Sequence, residues 1–219
     1  MHKAKIPNGE EFYYFTKDDV LKDLSPQERE GFLEVFSVME KISKILEVDC
    51  PDLAISNSIS RRNEYTGGIS DMCAMLYSPT EIPEINNYII MISLKYSKAL
   101  ELSGIIAHEM RHIWQDKYQP EINRIHAQGY KDSLYHLAEI DADGFAIAIL
   151  VLNGISMDEA GGVVCPEEKK RDKKAYMMRI DKANELIKEL KDRENERLTY
   201  KQEGRLVSYL KRLLKRVMK

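Results

Sequence analysis

The chain has 219 residues, 33 basic and 36 acidic side chains, a formal net charge of −3 and 43% hydrophobic residues. These values exclude a wholly disordered chain, a collagen-like fibre and a disulfide-stapled miniprotein, and they fit one soluble domain with an appendage. The charge is unevenly spread: residues 1–165 carry 15 Lys/Arg against 26 Asp/Glu, whereas residues 166–219 carry 18 against 10. An acidic body at 1–165 and a basic helical extension at 166–219 are therefore expected.

Ser25-Pro26-Gln27-Glu28 is a helix start, and Phe32, Val35, Phe36, Met39, Ile42, Ile45 and Leu46 then recur at helical spacing until Pro51. The stretch 52–60 reads as a strand. Gly67-Gly68 suggests a hairpin turn into 69–77, and Asn87–Leu94 reads as a further strand. Two helical segments follow, at about 97–118 and 133–152, separated by a polar stretch with Pro120, Asn123 and Gly129. The second stops at Asn153-Gly154. The residues after Pro166 are helix-forming and highly charged, with a break expected near 199–204.

Cys50, Cys73 and Cys165 are odd in number and far apart, which favours a reducing compartment and argues against a cysteine zinc site. The longest apolar run, Phe145–Leu152, is far short of the roughly 20 residues of a membrane span. The first residues lack the apolar core of a signal peptide. A cytoplasmic protein without a transmembrane segment is expected.

The chemistry concentrates in His108-Glu109-Met110-Arg111-His112. This is HExxH inside a helical segment, a pattern that arises by chance in roughly one chain of this length in a hundred. Positions i and i+4 share a helix face, so both imidazoles reach one ion. Glu109 can then lean towards the open coordination position and take a proton from water there.

A catalytic zinc site usually needs a third protein ligand. The metzincin pattern fails, because Gln115 and Tyr118 stand where it requires glycine and histidine. His126 and Glu139 remain as candidates, and Glu139 is favoured. Glu139 and Asp143 are four apart on one face of an otherwise apolar helix, whereas Asp141 points about 200° away from Glu139. Two carboxylates on such a face need something to offset their desolvation. A zinc ion at Glu139 and an imidazole N–H at Asp143 would supply it. Arg111 reads as an ordinary surface or salt-bridge residue, and Trp114 as core.

At these residues the chain resembles the gluzincin-type zinc metallopeptidases. The run Glu139-Ile-Asp-Ala-Asp143-Gly-Phe-Ala146 is similar to that of the ImmA/IrrE-type peptidases of phages and mobile elements. A family of membrane-embedded peptidases shares a related run, but no membrane spans are present here. The resemblance covers about residues 85–155. It implies an α+β, zincin-like fold: a small mixed or antiparallel sheet, an active-site helix and a glutamate-bearing helix. It implies Zn2+ held by His108, His112 and Glu139, Glu109 as general base and then acid, and Asp143 supporting a histidine. The strand at 87–94 would border the cleft and pair with an extended peptide or protein substrate. Such peptidases often place a Tyr or His to stabilise an oxyanion; Tyr130, Tyr135 and His136 precede Glu139 and could serve, but each reads more simply as a rim or packing residue.

In the extension, Ile180, Ala183, Leu186, Ile187 and Leu190 form one apolar stripe, and Leu206 to Val217 form another opposite lysines and arginines. Such helices pack on the body, on a second copy of the chain or on a partner, and a basic amphipathic helix can also bind nucleic acid. The alternative to an enzyme is thus a zincin-fold regulatory or binding module whose basic tail engages a partner or nucleic acid.

Overall fold

The computed structural model describes residues 1–6, 9–57, 59–62, 69–93, 99–122 and 137–192, which form two compact units. The first takes in Met1–Glu40 and Asp49–Ala99. The second takes in Lys41–Val48 and, among the described residues, 100–192.

The first unit is built on a mixed sheet. Strands β1 (His2–Lys5), β2 (Glu11–Phe15), β3 (Asp52–Ser56), β6 (Ala74–Tyr77) and β7 (Ile89–Ser93) lie in the order β1-β2-β3-β7-β6. All neighbours are antiparallel except β3 and β7, which run parallel with Leu53 opposite Ile90 and Ile55 opposite Ile92. Every residue of β7 is buried, as expected of a strand flanked on both sides and covered on both faces. Strands β4 (Ile59–Arg62) and β5 (Ile69–Met72) form a separate antiparallel pair.

Two strand expectations change. The stretch 52–60 is not one strand but two, β3 and β4, which belong to different sheets. The run 69–77 likewise divides at Cys73 into β5 and β6. Alternation in a sequence registers a strand but not a change of partner. The strand at 87–94 is also not an edge. Both hydrogen-bonding sides of β7 are taken, by β3 and β6, so it has no row of open amides to offer a peptide. Among the described residues the edges are β1 and β6. The Gly67-Gly68 turn lies outside the described residues.

Helix α1 (Lys17–Asp23) starts with a capping box in which the Thr16 hydroxyl accepts from the Asp19 N–H and the Asp19 carboxylate accepts from the Thr16 N–H. Helix α2 (Pro26–Leu46) buries Phe32, Val35, Phe36, Met39, Ile42 and Leu46, the stripe read from the sequence.

The second unit is helical: α3 (Ala99–Tyr118), α4 (Leu137–Leu152), α5 (Met157–Val164), α6 (Pro166–Arg171) and α7 (Lys173–Asp192), with the end of α2. Helix α4 is buried all round from Ala138 to Leu150 except at Glu139, as its uniformly apolar sequence requires. Its main neighbour is α7. The two come close at Gly144, where a β-carbon would lie 2.7 Å from Lys182 Cγ. Ile147, Leu150, Ala160, Cys165 and Ala183 form the shared core. The first apolar stripe of the expected extension is therefore covered within this chain. Helices α6 and α7 group with α3 and α4 in the second unit. The 199–204 break and the second stripe lie outside the described residues. Among the described residues no helix is long and apolar enough to cross a membrane.

Candidate metal centre

Helix α3 carries His108 and His112 one turn apart, and α4 brings Glu139 to them. The two imidazoles meet edge to face, with ring centroids 4.7 Å apart. Their Nε2 atoms are 3.0 Å apart. Glu139 reaches both rings, with Oε2 3.4 Å from His108 Nε2 and Oε1 3.6 Å from His112 Nε2. Ligand atoms about 2.1 Å from a tetrahedral ion lie ~3.4 Å from one another, close to these separations. His108, His112 and Glu139 can thus hold a metal ion.

The hydrogen bonds behind the rings agree. His108 Nδ1 is 2.9 Å from Asp143 Oδ1, and His112 Nδ1 is 2.8 Å from Gln115 Oε1. Both partners are acceptors, so each imidazole places a hydrogen on Nδ1, and in the neutral rings both Nε2 lone pairs face the same point. Two lone pairs 3.0 Å apart beside a carboxylate call for positive charge between them. The same demand acts on the proton. Burial disfavours a charged His108, but hydrogen bonds to Asp143 and Glu139, and their charges, outweigh it and hold its pKa well above the ordinary 6.5. A proton and a metal ion therefore compete for this nitrogen.

Glu109 lies beside the first histidine. Its burial raises the pKa of its carboxyl, the nearby His108 and His112 oppose that shift, and Glu139 and Asp143 add to it. A carboxyl tuned upwards in this way is suited to passing a proton near neutrality.

Two further acids of α4 are buried by paired arginines, so neither Asp141 nor Asp143 lies on a solvated face. Arg111, 7% exposed, grips Asp141 through Nε at 2.7 Å and Nη2 at 3.1 Å, and its guanidinium lies 3.6 Å over the Trp114 ring. Burial works against the charge on Asp141, but Arg111, then Gln115 and Lys182, overcome it and lower its pKa below 3.8. Arg179, 2% exposed, comes from α7 and places Nε 2.6 Å from Asp143 Oδ2, so Asp143 bridges it to His108. Trp114 is half-buried rather than core.

The sequence assigned no role at the site to Gln115, Asp141 or Arg179, and of the two readings of Arg111, surface or salt bridge, the ion pair with Asp141 is the one observed. Gln115 stands three residues after His112, on its face of α3, which was a legible signal. So was Arg179, a charge spaced four from Ala175 and Ala183 along a buried stripe. His126, Tyr130, Tyr135 and His136 lie outside the described residues. Comparison with protein-family models, with curated proteins and with solved structures finds no match to this chain.

Proposed function

We propose that this protein is a zinc-dependent metallopeptidase of zincin-like fold, cytoplasmic, hydrolysing peptide bonds within a peptide or protein substrate. The observation that carries the reading is the convergence of the His108, His112 and Glu139 donor atoms, with both imidazoles oriented by acceptors behind them and a glutamate adjacent. Two imidazoles and one carboxylate form a donor set suited to zinc in a hydrolytic site. When bound, zinc supplies Lewis acidity towards a carbonyl oxygen and activates water. In this reading Glu109 takes the proton of the attacking water and delivers it to the departing amine. Asp143 keeps His108 in the tautomer that leaves Nε2 open, and Arg179, 2.6 Å from its other oxygen, holds Asp143 in place. The resemblance of Glu139–Ala146 to the ImmA/IrrE-type run points the same way.

The test is metal analysis with an unbiased peptide-library digest of wild type and Glu109→Gln. About one zinc per chain is expected in both proteins. Cleavage by wild type should fall by at least 10²-fold in Glu109→Gln, in line with the weight of general acid–base catalysis. A wild type without transition metal, or undiminished cleavage by Glu109→Gln, overturns the proposal.

A further inference from the structure

Gln115 is fully buried, and its carboxamide makes three contacts. Oε1 faces His112 Nδ1 at 2.8 Å, while Nε2 donates to the Ala138 carbonyl and to Asp141 Oδ2, each at 2.9 Å. Burying an amide is costly unless it is hydrogen-bonded, and an apolar side chain of similar volume would fill the space. The three contacts also decide which way the amide lies. Turned over, its oxygen would confront a carbonyl and a carboxylate, two acceptors, and its NH2 would face the imidazole. Its orientation is therefore set by what it donates to, away from the metal-ligand group.

Asp141 is in turn held still. Arg111 engages both its oxygens through Nε and Nη2, and the Arg111 guanidinium is stacked on Trp114. A single run of contacts thus leads from Trp114 through Arg111, Asp141 and Gln115 to His112. Because Gln115 Oε1 has only lone pairs to offer, His112 must carry its hydrogen on Nδ1 and present a bare Nε2 beside His108 and Glu139. The two histidines are served differently: His108 by a carboxylate that Arg179 pins, His112 by a neutral amide that a carboxylate pins.

We propose that Gln115, locked by the Arg111–Asp141 pair, is a positioning residue that fixes the tautomer and ring orientation of His112 for metal binding. The inference rests on the reading of His108, His112 and Glu139 as a metal centre. It goes beyond that reading by assigning the second histidine its own support on the same helix.

The experiment measures the zinc dissociation constant of the full chain by competition with a chromophoric chelator, for wild type and for Gln115→Met. Loss of such a partner weakens metal binding by about 10- to 100-fold. That loss is the expected result, and an affinity within twofold of wild type overturns the proposal. A second measurement needs no variant: NMR of zinc-loaded wild type with 15N-labelled histidine. His112 should show zinc bound at Nε2 and an Nδ1–H proton protected from exchange. Ligation through Nδ1, or an Nδ1–H exchanging as freely as an exposed imidazole, overturns the proposal. A purely space-filling role for Gln115 would shift the melting temperature and leave the zinc affinity unchanged. The failures are separable. Tight zinc binding by wild type with unchanged affinity in Gln115→Met removes only the role of Gln115. A wild type that binds no zinc removes the metal centre and this inference with it.

Discussion

Replacing Arg179 with methionine tests whether α7 is part of the site's architecture. The substitution keeps most of the aliphatic stem but removes a guanidinium that is 2% exposed. That group's partners include Asp143 Oδ2 at 2.6 Å, the Ala175 carbonyl at 3.1 Å and Glu168 Oε1 at 3.7 Å. Without it, Asp143 keeps His108 but loses its cation, and Glu168, itself largely shielded, loses a counter-charge. Removing one partner of a buried ion pair costs roughly 3–5 kcal/mol, because the other charge stays buried and uncompensated. That is a large share of a total stability of about 5–15 kcal/mol. For a chain of this size each kcal/mol moves Tm by about 2–4 °C, so a fall of roughly 6–20 °C is expected.

The measurement is guanidinium and thermal unfolding of the metal-free protein, for Arg179→Met, Asp143→Asn and the double variant. The double variant carries neither charge, and its asparagine oxygen can still accept from His108. Its loss should be smaller than the two single losses added together, by at least about 1 kcal/mol, as for residues in direct contact. A loss below about 1 kcal/mol in Arg179→Met, the level of an exposed ion pair, would refute the reasoning. So would strict additivity.

Three more outcomes are expected. Burial raises the carboxyl of Asp52 from 3.8 to about 6, so the folded protein holds a proton over a window in which the unfolded chain has lost it. Burying Asp52 therefore costs least while it is protonated and more as pH rises through about 6; in urea unfolding, the stability of wild type relative to Asp52→Asn should fall over that window, and a constant difference would refute the assignment. At Gly144, alanine gains about 1 kcal/mol of helix propensity, but its β-carbon would lie 2.7 Å from Lys182 Cγ and 3.3 Å from the Ala183 amide. Overpacking costs about 1–3 kcal/mol, so a lower Tm is expected for Gly144→Ala, and a higher one would show that α7 yields. Cys165 is 2% exposed, its thiol is pushed up to about 12 chiefly by burial, and its S–H donates to the Gly161 carbonyl. A thiol reagent should modify exposed Cys73 in the native protein and leave Cys165 untouched until denaturant is added, as peptide mapping of the labelled chain would show.

How far the sequence speaks depends on the range of the interaction concerned. Helices α2, α3 and α4 were legible because their apolar periodicity and breakers are local, as was the i, i+4 spacing that puts His108 and His112 on one face. The capping box at Thr16 and Asp19 was equally local and was passed over. The sheet was legible only as separate strands. That β7 lies inside it, parallel to β3, follows from a crossover that no window of residues contains.

The candidate site divides in the same way. Glu139 and Asp143 announced themselves as carboxylates on an apolar helix, yet the groups that let those acids be buried come from elsewhere in the chain. Asp143 needs Arg179, 36 residues on, and Asp141 needs Arg111, 30 residues back. Charge composition hid this, because it assigned Arg179 to a basic tail and its partner to an acidic body. The tail's first helix is instead where one buried acid finds its counter-ion. A charged residue on a buried stripe therefore points to its complement on the facing element: here Arg179 leads to Asp143, which holds His108, and Arg111 leads to Asp141, which reaches His112 through Gln115.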